Sequence, residues 1–242
     1  MTDKPYQSQL YYRKLEEAFE PGSLLLPDGK VISIHSPDLP TNLIRNYPFQ
    51  SWYNLTNTRR FSGSFRGATV ARHIVHGVML ILQKKTIFPD LDDDLRAALV
   101  YAWMLHDLPE SWMGELPKWV KQGYGYDYSM AETRTIKKLS ESGSRPDNHE
   151  RPGLKKLINS LDTFCVMCEL LAYTRRDSMG VWKQTDSALK ALSELEAFSQ
   201  VPPETLLNYI NHGKGLYVSI SPAVPMPMYY RENFPNWKWD AE

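Results

Sequence analysis

The chain has 242 residues, and its 28 Lys and Arg residues balance its 28 Asp and Glu residues. A hydrophobic fraction of 42% is enough to build a packed core, which excludes a globally disordered protein. The zero net charge argues against binding to long nucleic acid through overall charge, and two Cys residues are too few for a disulfide scaffold. Composition therefore indicates a soluble globular protein.

The sequence also predicts where this protein resides. Met1–Pro5 does not begin an apolar signal segment, and the longest aliphatic run, Val78–Leu82, is too short to cross a bilayer. Cys165 and Cys168 have a Cys-x-x-Cys spacing, but no second Cys pair or nearby His completes a zinc site. Their helical context favours two thiols in the core over a redox pair. We therefore predict a cytoplasmic protein without a membrane partner.

The first part of the chain combines a predicted helix with a predicted β-hairpin. Apolar residues at helical spacing predict a helix over Gln7–Phe19. Two runs typical of strands, Ser23–Leu26 and Val31–Ile34, flank a Pro-Asp-Gly-Lys turn whose Asp-Gly centre favours a hairpin. The stretch between the Pro-rich segments Ser36–Pro40 and Tyr47–Pro48 is either irregular or helical.

From Ala68 onward the hydrophobic pattern is helical. It predicts helices over Thr69–Lys84, from Pro89-Asp90 to His106-Asp107, and over Tyr128–Ser140, Leu154–Arg176, Thr185–Phe198 and Pro203–His212. A loop is expected between His106-Asp107 and Pro117, and a wrapped, irregular tail from Ser219. The prediction is one mainly α domain over residues 1–242, with a small N-terminal β-hairpin and a core at about residues 24–176.

Four polar residues lie in helices that are otherwise apolar. Asp162 falls on the inward stripe of its predicted helix, where an ionised carboxylate needs a cation, a metal or hydrogen bonds. His73 lies in the most apolar helix, and His106 and Asp107 end another. Any one of them is more often a satisfied core residue. Together, two imidazoles and two carboxylates suit a divalent transition metal with open positions.

The order of these residues, His73, then His106-Asp107, then Asp162, resembles the H…HD…D pattern of HD-domain metal-dependent phosphohydrolases. Arg60-Phe61-Ser62-Gly63 resembles the Arg-Phe-Asn-Gly segment of phage and bacterial members. Thr69-Val70-Ala71-Arg72-His73 is similar to their Ser-Val-Ala-Glu/Gln-His segment. The resemblance covers roughly Leu24 to Arg176 and implies an HD-domain helical bundle.

A third segment extends the resemblance and also departs from it. His106-Asp107-Leu108-Pro109-Glu110, followed by Gly114-Glu115-Leu116-Pro117-Lys118, is similar to the family's His-Asp-Ala-Ser/Ala-Glu…Gly-Asp-Leu-Pro run. Leu108-Pro109 is bulkier than the family's small pair, and Glu115 stands where the family usually has Asp. Arg72 and Ile74, which flank the first histidine, are also atypical. These departures bear on substrate choice more than on metal binding.

The resemblance implies one divalent ion held by His73, His106, Asp107 and Asp162. Mn, Co, Zn or Fe would suit this mixed nitrogen and oxygen set, and Mg is also allowed. Glu110 would transfer a proton, either from the attacking water or to the leaving 5′ oxygen. A capping or solvated glutamate is the alternative for Glu110.

The remaining implied residues would contact substrate. Arg60 is the first candidate for a phosphate contact in catalysis, because guanidinium binds phosphate in a bidentate manner. Lys118 and Lys121 are weaker candidates, and a surface lysine is the alternative for each. Phe61 would stack on the base or exclude a 2′-hydroxyl unless it belongs to the core, and Glu115 would accept from the sugar 3′-hydroxyl. For His76, a core or supporting role is favoured over metal binding.

By this resemblance the chain is a 5′-deoxynucleotidase that hydrolyses a deoxynucleoside monophosphate. A dNTP triphosphohydrolase that uses the same ligands is the nearest rival, and a non-catalytic nucleotide-binding or interaction module is the rival from another class. A small deoxynucleotide, not long nucleic acid, is the expected partner. Family members are often dimers or larger, so a homo-oligomer stays open. The Pro-rich tail, Met226–Trp239, would cover either a neighbouring copy or its own core.

Overall fold

The structure is a computed structural model that describes residues 23–25, 31–33, 38–83, 87–88, 91–115, 126–143, 153–173, 189–190, 192–195 and 197–238. Over these residues the chain is mainly helical, which confirms the predicted class. Two compact units divide the chain, Met1–Leu39 and Pro40–Glu242. The single domain expected over the whole length stays a prediction.

Two short strands are described in the first unit. Strand β1 (Ser23–Leu25) pairs antiparallel with β2 (Val31–Ser33), and Leu24 lies opposite Ile32. The turn at 26–30 and the helix predicted over Gln7–Phe19 lie outside the described residues. The hairpin as a whole therefore stays a prediction.

Nine α-helices are described in the chain. They are α1 (Leu39–Asn46), α2 (Pro48–Asn57), α3 (Val70–Leu82), α4 (Asp93–His106), α5 (Glu110–Met113), α6 (Tyr126–Glu141), α7 (Leu154–Tyr173), α8 (Pro203–Ser219) and α9 (Tyr229–Asn233). Two helix starts are capped by side chains, as residues of these types predict. Thr69 accepts the Arg72 N–H at the start of α3 at 3.3 Å, and Asp92 accepts the Leu95 N–H at the start of α4 at 2.6 Å.

One predicted helix end and part of one predicted loop were wrong, and one helix was not predicted. The last long helix continues beyond His212 to Ser219, because Gly213 lets α8 approach α7 closely: a Cβ there would stand 2.7 Å from Cys168 Sγ. Part of the predicted loop after Asp107 is the helical turn α5, which ends where the Gly114 N–H donates to the Glu110 carbonyl at 2.9 Å. Helix α2 was not predicted, and the helix predicted over Thr185–Phe198 lies mostly outside the described residues.

The core forms where α3, α4, α7 and α8 pack together. Trp103 of α4 is fully buried and lies against Gly77 of α3, and its indole N–H donates to the Ile74 carbonyl at 2.8 Å. Cys165 and Cys168 are free thiols buried on α7, as the core interpretation predicts. The buried faces of these helices therefore meet around the positions where the polar residues of interest lie.

The C-terminal tail packs on its own chain. The Trp52 indole N–H donates to the Val224 carbonyl at 2.9 Å, and the Tyr230 hydroxyl donates to the Met104 carbonyl at 2.7 Å. Phe234 and Trp237 stack at 4.2 Å and are both buried. Of the two arrangements left open by the sequence, the tail therefore covers its own core over residues 220–238.

No helix in the described part of the chain combines the length and the apolar character needed to cross a membrane.

Candidate metal centre

Residues from α3, α4 and α7 converge at one point of the bundle. His73 lies in the first turns of α3, His106 is the last residue of α4 with Asp107 directly after it, and Asp162 lies in α7. One ligand atom each of His73, His106 and Asp162 lies within 4.8 Å of the others. Packing of the three helices thus brings together residues that are far apart in sequence. We refer to His73, His106, Asp107 and Asp162 as the cluster.

His73 is fully buried, and its Nδ1 atom faces the carboxylate of Glu169. Its Nδ1 lies 2.6 Å from Oε1 of Glu169, which also has no exposed surface. Its Nε2 faces the other side, 3.2 Å from Asp162 Oδ1 and 3.6 Å from Asp107 Oδ2. This Nε2 has no partner with hydrogen-bond geometry among the described residues. The ring therefore presents one nitrogen to the cluster.

His106 is oriented by its own helix. Its Nδ1 lies 2.5 Å from the Trp103 carbonyl, one of the carbonyls at the end of α4 that lack a partner within the helix. Because that carbonyl only accepts, Nδ1 must carry the proton, and a neutral ring keeps the Nε2 lone pair free. The Trp103 and His106 rings also stack, with centroids 4.1 Å apart. His106 Nε2 is buried and likewise lacks a hydrogen-bond partner among the described residues.

Asp107 contacts the same group from the end of α4. Its Oδ2 lies 3.2 Å from His106 Nε2 and 3.3 Å from Nη1 of Arg60. Burial by itself would raise the pKa of Asp107, but the neighbouring His106, His73 and Arg60 hold it well below its usual range. Asp107 is therefore an ionised carboxylate next to two imidazoles.

Arg60 lies in a loop whose two ends are joined by a bridge between Arg59 and Thr69, next to the cluster. Arg59 and Thr69 form an isolated antiparallel bridge, and the Arg60 N–H donates to the Ala68 carbonyl at 3.0 Å. Within the loop, Phe61 has the positive φ of 55°, which is uncommon for a residue with a side chain and marks local strain. This geometry fixes Arg60 beside the start of α3.

Arg60 is only 6% exposed, and its guanidinium faces three carboxylates. Its Nε lies 3.2 Å from Glu169 Oε2, its Nη1 3.3 Å from Asp107 Oδ2, and its Nη2 4.0 Å from Asp162 Oδ1. Burial alone would lower the pKa of Arg60, but the carboxylates, Glu169 first, raise it above its usual range. Arg60 is therefore always charged and contacts the cluster.

The charges at the cluster favour a bound cation. Burial and Arg60 lower the pKa of His73, whereas Glu169 and Asp162 raise it, and the result is about 9. Burial alone would raise the pKa of Asp162, but His73 lowers it below its usual range. The carboxylates thus hold positive charge at His73, and a divalent cation would supply that charge from the same place.

Sequence reasoning missed Glu169. It lies two helical turns after Asp162, next to Cys168 on the buried face of α7. Glu169 has no exposed surface, whereas the Asp162 side chain is 46% exposed and so is less buried than its place on the apolar stripe predicted. A second acidic residue on an apolar stripe is the signal that would have identified it. The charges of His73 and Arg60 overcome the effect of burial, which alone would raise the pKa of Glu169, and hold it below its usual range.

Two further predicted residues lie near the cluster. Glu110 is buried as the first residue of α5, and its N–H donates to the Asp107 carbonyl at 3.0 Å. Burial raises the pKa of Glu115, and its next causes are the charges of Arg60 and Asp107, so Glu115 lies within the field of the cluster.

The other predicted substrate contacts divide into two groups. The Phe61 ring packs on Phe65 at 5.5 Å and lies 5.6 Å from the Arg60 guanidinium carbon. Lys118 and Lys121 lie outside the described residues. The roles assigned to all of these residues stay predictions.

Two side chains of α3 point to the packing interface with α8. His76 is buried and its Nε2 lies 2.9 Å from the Gly213 carbonyl, in agreement with the favoured core role. Arg72 donates to the Tyr217 carbonyl at 2.8 Å and lies 4.1 Å above the Tyr217 ring. The atypical arginine next to His73 therefore joins α3 to α8.

The donor set fits a divalent transition metal. Two buried imidazole nitrogens each face a carboxylate oxygen at 3.2 Å, and nitrogen with oxygen ligands suits Mn, Fe, Co or Zn. Comparison of the chain with protein-family models, with curated proteins and with solved structures finds no match. The case for function therefore depends on the site itself.

Proposed function

We propose that this chain is an HD-type, metal-dependent phosphohydrolase, and that its substrate is a deoxynucleoside 5′-monophosphate. One observation carries the proposal: ligand atoms of His73, His106 and Asp162 lie within 4.8 Å of one another, and the buried Nε2 of each histidine faces a carboxylate oxygen at 3.2 Å. Imidazole nitrogens and carboxylate oxygens that converge at one point support a divalent metal centre.

In this proposal His73, His106, Asp107 and Asp162 hold one divalent ion. Such an ion, when bound, draws a phosphate oxygen and a water together and makes the water more acidic. Part of the site is shielded from solvent, since His73 and Glu169 are fully buried and Arg60 nearly so, while the Asp162 side chain is 46% exposed. Charge interactions are stronger in such surroundings than in water.

The remaining groups would handle phosphate, proton and sugar. Arg60 supplies a fixed positive charge within about 4 Å of two of the proposed ligands, where charge develops on phosphate oxygens during transfer. Glu110 would move the proton between water and the leaving 5′ oxygen. Glu115 would accept a hydrogen bond from the 3′-hydroxyl, and Phe61 would face the base or the 2′ position.

The test is hydrolysis by the purified chain loaded in turn with Mn²⁺, Co²⁺, Zn²⁺, Fe²⁺ and Mg²⁺. Deoxynucleoside monophosphates, ribonucleoside monophosphates and dNTPs are supplied, and phosphate and triphosphate are measured separately. We expect phosphate release from the deoxynucleoside monophosphates. His73→Gln and Asp107→Asn should abolish it, whereas the matched control His76→Gln, a buried histidine with its own carbonyl partner, should retain it.

Other outcomes of this assay have definite meanings. Triphosphate release from dNTPs would replace the monophosphatase with a dNTP triphosphohydrolase that uses the same centre. Folded protein that turns over no nucleotide with any metal would overturn the enzyme and favour a non-catalytic binding module. Activity that survives Asp107→Asn would overturn the metal centre as the catalytic site.

A further inference from the structure

Glu169 is the most deeply buried charged side chain near the candidate metal centre. It has no exposed surface, and its neighbours on α7 include the buried Phe164, Cys165 and Cys168. An unpaired carboxylate in such surroundings would be strongly destabilising. Its two oxygens instead face two different cationic groups, His73 and Arg60.

The contact with His73 determines which imidazole nitrogen faces the cluster. Glu169 Oε1 lies 2.6 Å from Nδ1, so in the neutral ring that a metal requires, Glu169 keeps the one remaining proton on Nδ1. The Nε2 atom is then left to face Asp162, 3.2 Å away. Without the carboxylate, nothing else described at this position would hold the ring in this tautomer.

The contact with Arg60 orients the guanidinium. Glu169 Oε2 lies 3.2 Å from Nε, an ion-pair contact without hydrogen-bond geometry, while Nη1 and Nη2 face Asp107 and Asp162. Because the guanidinium is planar and rigid, attraction of its Nε side to Glu169 turns both Nη atoms toward Asp107 and Asp162. One buried carboxylate thus touches the group that would bind metal and the group that would bind phosphate.

We propose that Glu169 is a positioning residue, which sets the His73 tautomer for metal binding and aims Arg60 at the metal centre. The inference rests on the metal centre of the proposed function but not on the identity of the substrate. A carboxylate behind a metal-binding histidine typically changes metal affinity by about 10- to 100-fold. A residue that only stabilised the fold would change the unfolding transition and leave the affinity of the folded protein unchanged.

The experiment compares the full-length wild type, Glu169→Gln and the control Glu204→Gln, an exposed glutamate of α8. Co²⁺ affinity is measured by titration of its visible absorption, and the His73 ring nitrogens are observed by ¹⁵N NMR in the Zn²⁺-loaded proteins. We expect Glu169→Gln to weaken Co²⁺ binding by about 10-fold or more. The amide keeps the size of the side chain, so the unfolding temperature of each variant shows whether it is folded.

The NMR measurement tests the inference first in the wild type and then in the two variants. Zn²⁺-loaded wild type should show His73 protonated at Nδ1 and metal-bound at Nε2, with the Nδ1 proton shifted downfield by its short contact with Glu169. That proton should move upfield in Glu169→Gln and stay in place in Glu204→Gln. Metal bound at Nδ1, or equal Co²⁺ affinity of wild type and folded Glu169→Gln, would overturn the positioning role.

The two proposals fail in different ways. Wild type that binds neither Co²⁺ nor Zn²⁺ would overturn the metal centre and the role of Glu169 with it. Metal binding that depends on Glu169, in a protein that hydrolyses no nucleotide, would support the positioning role and overturn only the proposed phosphohydrolase.

Discussion

A methyl group added at Gly77 would disturb the packing that supports both histidines of the cluster. Gly77 lies in α3, and an added Cβ would stand 2.1 to 2.3 Å from three atoms of the Trp103 indole. Unstrained carbon atoms approach to about 3.5–4.0 Å. The Trp103 ring also lies against His73 and His106, with centroids 5.1 and 4.1 Å apart. Gly77→Ala therefore requires the indole to move by more than about 1 Å.

The expected loss of stability follows from opposing contributions. Overpacking a well-filled core costs about 1–3 kcal/mol. Displacing the Trp103 indole also breaks its 2.8 Å hydrogen bond to the Ile74 carbonyl, which costs about 1–3 kcal/mol when the acceptor is left buried. Alanine offsets about 1 kcal/mol of this through its higher helix propensity. The net loss is about 1–5 kcal/mol, a large fraction of a typical folding free energy.

Urea unfolding followed by tryptophan fluorescence measures this loss. The matched control is Gly215→Ala in α8, where an added Cβ would meet no atom within 4 Å. Only helix propensity acts there, so the free energy of unfolding of the control should increase by about 0.5–1 kcal/mol. Gly77→Ala that is as stable as the wild type, or that gains as much as the control, would refute the argument that close approach of α3 and α4 depends on this glycine.

Three further predictions concern buried groups that are not proposed metal ligands. Arg96 donates to the carbonyls of Ile81, Phe88 and Leu91 at 2.6–3.1 Å. Arg96→Met should therefore lower the free energy of unfolding, measured in urea, by about 2–4 kcal/mol. The control Arg134→Met, at an exposed residue, should change it by less than about 0.5 kcal/mol. Burial, as the main cause, lowers the pKa of His76 to about 4 from its ordinary 6.5, so protons bind the unfolded chain more tightly and stability falls as the pH drops from 7 to 5. His76 contributes about 2 kcal/mol to that fall, so the stability of His76→Gln should fall less between pH 7 and pH 5 than that of the wild type. The same pH dependence in the variant and the wild type would contradict a buried, neutral His76 ring. If the tail stabilises the end of α4 through the hydrogen bond from the Tyr230 hydroxyl to the Met104 carbonyl, Tyr230→Phe should lower the free energy of unfolding by about 1–3 kcal/mol. The control Tyr53→Phe, at a residue 63% exposed, should leave it unchanged.

Local sequence patterns predicted the main helices well. The apolar periodicity of α3, α4, α6 and α7 is a local feature, so it acts over a few residues wherever the segment lies. The same reasoning ended the last long helix too early. Propensity near Gly213 opposes a helix, but close packing against Cys168 needs a residue without a side chain there.

The cluster was predicted only in part. His73, His106 and Asp162 stood out because each is polar on a face that periodicity predicts to be buried, and the structure brings their ligand atoms within 4.8 Å. Glu169 carried the same signal but matched no part of the H…HD…D pattern. The burial of Arg60 and its contacts with three carboxylates were not predictable, because the carboxylates belong to other elements of the chain.

By itself, the sequence determined the helical class, the positions of the main helices and the residue types able to bind a metal, because these depend on periodicity and side-chain chemistry. Only the tertiary structure decided that the tail covers its own core and that Glu169 joins His73 to Arg60. Those pairings join residues about a hundred positions apart, and their free energy exists only once the helices have packed and water has been excluded.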